Sequence, residues 1–465
     1  MQLSHTRPVV TATFDEPNLV SAAGLVPILA LAAKAGLHDL ADTWLSVPTD
    51  KGANAGAKVA SLVGGMVAGA DSIEDMSLLR HGGMKRLFTA CYAPSTLGSF
   101  LRSFTFGHIR QLDAIASRFL TNLSHQTPIL AVAASTQEYV CIDVDDTIVE
   151  VHGHLKQGSG YGYSGVRGLN ALLATVTTPG SAPVIVAQRL RKGSTGSPRG
   201  AARLIGDAVA TTRRLAGMTT ARKLVRADSA YYGQAAVSAA LTGGSDVSVT
   251  VRMDPAVKKA IASIEEDDWT PIQYTDAVYD EDTGSWISSA EVAEVDFTAF
   301  TSKKKHQRVP GRLVVRRIPE LNKKDLEHPT LFDTHRFHAF FTTSSLDTVS
   351  ADKTHRGHAI IEQVHADLKN SALAHLPSGM FTANAAWLVC AVLAFNLTRA
   401  AATIADDGLA RATTATIRRK LVTVPARIAS SARRYILHLP QQWPWETGWA
   451  RLFTSINAPP RPTTA

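Results

Sequence analysis

The chain has 465 residues, 45% of them apolar and 19% charged, which is enough for more than one packed core and excludes an intrinsically disordered chain. A formal charge of +8 with a pI near 9.4 favours a polyanionic partner. Cys91, Cys141 and Cys390 lie far apart in apolar contexts, which excludes a disulfide framework or a cysteine-held metal and fits reduced core thiols of a cytoplasmic protein.

In chain order, the first apolar run is LVSAAGLVPILALAA at 19–33. It is shorter than a membrane span, and Asp15 and Glu16 precede it where a signal peptide carries positive charge. Val26, Leu29, Ala33, Leu37, Leu40 and Trp44 keep helical spacing, so the run reads as a packed amphipathic helix with no role in a membrane. Helical periodicity continues to about residue 125, with Gly64-Gly65 and Gly82-Gly83 as punctuation.

From Tyr139 the pattern switches to short β-rich runs, YVCIDVD, TIVEVHG, ALLATVTT and PVIVAQRL. A helical segment, GAARLIGDAVATTRRLAGM, and a further strand, KLVRADSAYYG, follow. Strands alternating with helices predict an α/β core with some parallel pairing. Residues 253–345 carry charged and aromatic patches and strands such as GRLVVRRI, and read as a mostly β insertion. Helical pattern returns at 351–402. The tail, 399–465, holds ten Lys or Arg against three acids and reads as basic and helical, with Trp443, Trp445 and Trp449 as a packed cap.

The stretch CIDVDDTIVEVHG, 141–153, places Asp143, Asp145 and Asp146 among strand-forming residues. Along a strand Asp143 and Asp145 share one face and Asp146 takes the other, so two like charges meet unless a cation bridges them or one lies in water. The strand LVRAD also runs into an acid, Asp228. Acids at neighbouring strand ends make the oxygen-rich cluster that Mg2+ or Mn2+ prefers. In THRGHAIIEQVHADLKN, 354–370, helical spacing sets His358, Glu362, His365 and Lys369 on one face, with His355 and Arg356 a turn earlier.

These motifs in this order, D-x-D-x-T, the glycine-rich GSGYGYSGVRGL, RADSAYYG and the H-R-x-H-x3-E-x6-K helix, resemble the DDE transposases of bacterial insertion sequences. The resemblance is to the group whose RNase H-like core is split by a long β insertion before the glutamate. KVASLVGGMVAGADSIEDMSLLR and APSTLGSFLRSF resemble that group's helical leading region. The resemblance implies a helical DNA-binding and dimerisation region at 1–135, the RNase H-like core at 136–252 and 346–402, the β insertion at 253–345 and a basic helical region at 403–465.

It also implies a triad of Asp145, Asp228 and Glu362 holding two Mg2+ or Mn2+ ions, with Asp143 as the alternative first ligand. Metal-dependent cleavage and strand transfer of double-stranded DNA, at the element's terminal repeats and a target, is the activity implied, carried out by a homodimer on the bacterial nucleoid. Arg356, His358, Lys369 and His355 would contact phosphates, although His355 and His358 stand where the family commonly has Tyr and Arg. Tyr163 would line the DNA path, and Trp269 or Trp286 would stack on a base. Lys85, Arg86, Arg102 and Arg110 would serve end recognition. Two other readings use the same residues. The helix histidines at 355, 358 and 365 with Glu362 have spacing compatible with a zinc hydrolase, and the basic tail suits a DNA-binding protein without catalysis.

Overall fold

The computed structural model describes residues 10–130, 139–153, 155–280, 285–319, 335–406, 408–432 and 434–457. The leading region holds a two-residue strand β1 (Leu19–Val20) and six helices: α1 (Leu25–Lys34), α2 (Leu37–Trp44), α3 (Ala55–Ala68), α4 (Met84–Leu87), α5 (Pro94–Arg102) and α6 (Phe106–Gln126). Pro27 sits in the first turn of α1, where a missing N–H costs nothing. Leu25, Ile28 and Leu31 bury that helix as its spacing predicts.

Next come β2 (Tyr139–Glu150), β3 (Gly160–Tyr161), β4 (Arg167–Thr177), β5 (Val184–Lys192), α7 (Ala201–Thr212), β6 (Arg222–Ala227), α8 (Gln234–Thr242) and β7 (Asp246–Thr250). β4 pairs antiparallel with both β2 and β5, whereas β2 pairs parallel with β6 and β6 parallel with β7. A helical crossover, α7 or α8, leads into each of these parallel strands, as parallel pairing requires. Close packing against the 158–168 segment requires a glycine at 193. A Cβ on Gly193 would lie 2.0 Å from the Gly168 carbonyl oxygen and 2.4 Å from that of Gly160.

Residues 253–345 fold into α9 (Pro255–Ile261) and the meander β8 (Thr270–Asp280), β9 (Ser285–Ala299), β10 (Val309–Pro319) and β11 (His335–Thr342). The segment is mostly β, as its composition predicts, and it forms no separate sheet. β11 pairs with β7, so among the described residues the meander extends one ten-stranded mixed sheet. The chain then returns through α10 (Thr348–Arg356), α11 (Ile360–Lys369) and α12 (Phe381–Ala405). α12 is long and apolar enough to cross a membrane, but 89% of its most apolar stretch is buried against other parts of the chain. α3, α5, α6, α14 (Glu446–Asn457) and β5 surround it.

The tail departs from the expected all-helical form. After α13 (Thr414–Ile417) it makes a hairpin of β12 (Ala426–Ser431) and β13 (Arg434–His438), and β12 pairs with β1 from the other end of the chain. Pro425 ends the preceding helical turns. The tail's charge is also partly internal: Arg399 pairs with buried Asp367 at 2.9 Å, and Arg418 is largely buried. Trp449 is buried and stacks on Phe453, and the Trp443 indole N–H donates to the Lys420 carbonyl, so the tryptophans pack as expected.

Candidate active site

The parallel register of β2 and β6 sets Asp143 beside Arg226 and Val144 beside Ala227. One residue further, Asp228 follows the end of β6 next to Asp145, which lies in the middle of β2. Asp228 caps the turn that follows, its carboxylate accepting the Ala230 N–H at 2.9 Å.

Four acids therefore crowd together where β6 ends beside the middle of β2, and the structure divides them by counter-charge. Asp143 is fully buried and takes both arms of Arg226, Nε and Nη2 each at 2.7 Å, as a bidentate pair. His358 Nδ1 lies 2.9 Å from the same carboxylate, and the remaining Arg226 nitrogen donates to the Thr354 carbonyl. Asp146, on the opposite face, pairs with Arg191 at 3.1 Å and accepts from Asn170 and the Tyr231 hydroxyl.

Among the described residues Asp145 and Asp228 have no such cation. The basic side chain paired most closely with Asp145 is His365, whose Nδ1 stands 3.7 Å away, too long for a hydrogen bond. Burial holds that imidazole neutral by pushing its pKa down to about 4, with Lys369 adding to the effect. Burial pushes the Asp145 carboxyl up to about 7, and the charge of Asp228 adds to the rise. Asp228 is likewise raised, first by burial. Two adjacent carboxyls that both resist ionisation form a pair wanting an external cation.

The segment expected to be one helix from 354 is broken at Gly357–Ala359 by a 3-10 turn between α10 and α11. Gly357 sits over Arg226, where a Cβ would lie 2.7 Å from Nη1. Beyond the break the polar face tracks β2. His358 meets Asp143, His365 approaches Asp145, and Lys369 Nζ donates to Thr147 Oγ1 at 3.0 Å. Glu362 lies on this face between them, exposed to solvent. Among the described residues no three His, Cys, Asp or Glu side chains converge closely enough to hold a metal ion, so Glu362 stands apart from the aspartate pair.

The remaining expected site residues take different positions. His355, before the break, is turned inward between Ser248 Oγ at 2.8 Å and Thr250 Oγ1 at 3.0 Å, and stacks on Phe340 at 4.0 Å. Both its nitrogens are used, which leaves none for a phosphate. Arg356 Nε donates to Asp352 at 2.8 Å while a third of the side chain stays exposed. Tyr163 projects into solvent, close enough to Asp145, Asp146 and Asp228 for their charges to add to the rise in its pKa that burial begins. Trp269 packs on Phe337 and under the Arg317 guanidinium at 4.3 Å, and the Trp286 side chain lies outside the described residues. The histidines at 355, 358 and 365 face three different partners and do not form a zinc-binding set. Of the leading-region cations, Arg110 is paired with Asp113 and Asp207, Arg86 with Asn18, and Arg102 bonds Ser99.

Sequence reasoning missed Arg226 and Arg191. For Arg226 a signal exists, since R-x-D at 226–228 on one strand mirrors D-x-D at 143–145 on its neighbour. In register, those spacings pair one acid with the arginine and leave two acids together. The sequence matches the family described as transposase DDE domain group 1 over residues 3–460. Among curated proteins no match is found.

Proposed function

The chain belongs to the DDE transposase family, and on that premise we propose that it cleaves and rejoins DNA at the ends of a bacterial insertion sequence, with Asp145, Asp228 and Glu362 as its acidic triad. The observation that carries this assignment is the division of counter-charge. Asp143 and Asp146 are neutralised by Arg226 and Arg191, whereas Asp145 and Asp228 lie side by side without a cation and with raised pKa values. That pair fits a divalent-cation site. Glu362, which stands apart from the pair in this structure, would complete the site by closing from α11, whose flanking residues His358 and Lys369 already touch β2.

Two Mg2+ or Mn2+ ions, when bound to such a triad, activate the attacking oxygen and stabilise the leaving oxygen of an in-line phosphoryl displacement. The chain's own residues do the positioning. Lys369, held beside Thr147, and the exposed part of Arg356 offer charge to DNA phosphates on either side of Glu362. His358 is held by Asp143 through Nδ1. Tyr163 lines the approach. Asp143 is the counter-ion of Arg226 and drops out as a metal ligand.

The strand order β5-β4-β2-β6-β7, antiparallel on one side of β2 and parallel on the other, supports an RNase H-like core at 136–252 and 346–402. The meander between β7 and α10 is then the insertion at 253–345. The helical region 1–135 would bind element ends in a homodimeric complex, and the tail 403–465 would add phosphate contacts.

The test is a supercoiled plasmid carrying the element's native ends, incubated with Mg2+, Mn2+, Zn2+ or EDTA, with Asp228→Ala alongside. End cleavage that needs Mg2+ or Mn2+ and vanishes in the variant is the expected result. End-specific binding without cutting under any metal would refute the catalytic reading.

A further inference from the structure

A cavity of about 980 Å3 lies behind α11 on the side away from the carboxylates. Ile360, Gln363, Val364 and Asp367 line it. At 100° per residue these positions point opposite to Glu362, His365 and Lys369, so α11 is a wall between two chambers. The cavity's other walls come from the start of β2, the β4–β5 turn and the segment before α13.

Its charge is one-sided. Arg226, Lys353, Arg399 and Arg411 line it; Arg226 is paired with Asp143 and Arg399 with the lining acid Asp367, so Lys353 and Arg411 carry the excess positive charge. Asp367 is already satisfied by Arg399 and by the backbone N–H and hydroxyl of Thr414. Among the described residues the Lys353 and Arg411 side chains have no hydrogen-bond or ion-pair partner, and both are exposed at the rim. Deeper in, the Arg399 side chain is 7% exposed, and its Nε is a buried donor with nothing to donate to. An orphaned buried donor is costly unless a ligand supplies the acceptor. Apart from Gln363 the remaining lining is apolar or hydroxylic, including Tyr139, Cys141, Pro179 and Val364. A pocket with an apolar body and convergent cations suits an anion that carries a flat, weakly polar group, and the volume stands at the upper end of small-molecule sites, roughly 300–1,000 Å3.

We propose that this cavity is a nucleotide-binding site, separate from the carboxylate site, in which Lys353, Arg399 and Arg411 take the phosphate and the apolar wall takes the base. Arg226 joins the two chambers, lining the cavity while its Nε and Nη2 hold Asp143. The occupant is either a free nucleotide or a nucleotide splayed from a DNA strand; the phosphate-and-base chemistry is the same. The inference does not depend on the transposase reading, because the residues differ.

The experiment is calorimetric titration of the full chain, in EDTA, with dAMP, with a single-stranded tetranucleotide and with inorganic phosphate. The expected result is saturable binding of dAMP or of the tetranucleotide, weakened at least tenfold in Lys353→Glu/Arg411→Glu and unchanged in Asp228→Ala. Both rim residues are exposed, so the double variant keeps its fold. Binding of the tetranucleotide alone identifies a strand as the source, and binding of dAMP identifies the free nucleotide. No binding of either, equal binding in the double variant, or phosphate binding as tight as dAMP would each overturn the proposal. Loss of end cleavage in Asp228→Ala with nucleotide binding intact separates this site from the triad.

Discussion

Replacing Arg226 by Met removes the partner of a carboxylate that has no access to water. Asp143 is 0% exposed and the Arg226 side chain 5%, so the variant leaves a buried charge with only His358 beside it. Removing one member of a buried pair costs about 3–5 kcal/mol, and the Thr354 carbonyl that loses its donor adds about 1 kcal/mol. Asp143→Leu strands the guanidinium and costs a similar amount. Arg226→Met/Asp143→Leu strands neither charge; only the His358 and Thr354 bonds are lost, about 2 kcal/mol together. The singles then sum to roughly 8–12 kcal/mol while the double costs about 2, a coupling of at least about 6 kcal/mol. Urea unfolding of the four proteins, followed by far-ultraviolet circular dichroism at fixed protein concentration, measures it. Costs that simply add would show that the pair is not the buried unit described, and would reopen Asp143 as a ligand of the site.

Asp143→Asn, which keeps the side-chain volume and one of the two acceptor oxygens toward Arg226, should leave Mg2+-dependent end cleavage measurable while Asp145→Asn abolishes it; equal loss in a plasmid cleavage assay would contradict the division of the acids. Glu362→Ala should keep the fold and DNA binding in gel-shift experiments and lose cleavage, and a variant cutting at the wild-type rate would remove Glu362 from the mechanism. Burial lowers the pKa of His355 from 6.5 to about 3, so the folded state keeps the ring neutral where the unfolded chain protonates it. Stability is therefore full above pH 6.5 and falls as pH drops below it, by about 2 kcal/mol at pH 5 from this group. Denaturation at pH 7 and pH 5 should show His355→Phe with a pH loss smaller by that amount, and an unchanged loss would mean the ring is charged in the fold. Gly193→Ala, whose Cβ would sit 2.0 Å from a backbone oxygen, should cost about 1–3 kcal/mol by forcing β4 and the 160 loop apart. Thermal unfolding at the wild-type midpoint would refute the close approach.

The sequence by itself determined the elements whose signal is local. The helical spacing of Val26 to Trp44, the β runs from Tyr139 and the acids at 143, 145, 146 and 228 were all legible, because periodicity and residue type act within one element. So was the resemblance that named Asp145, Asp228 and Glu362. What only the tertiary structure decided was which charges meet. Nothing local says that Arg226 lies beside Asp143, or that Arg191 reaches Asp146 from β5; strand register sets both. The break at Gly357 turned His355 inward, and it follows from how closely the chain passes over Arg226. The hairpin in the basic tail was missed for the same reason. Its partner β1 is some four hundred residues away in sequence, and strand pairing, unlike helix formation, takes its hydrogen bonds from elsewhere in the chain.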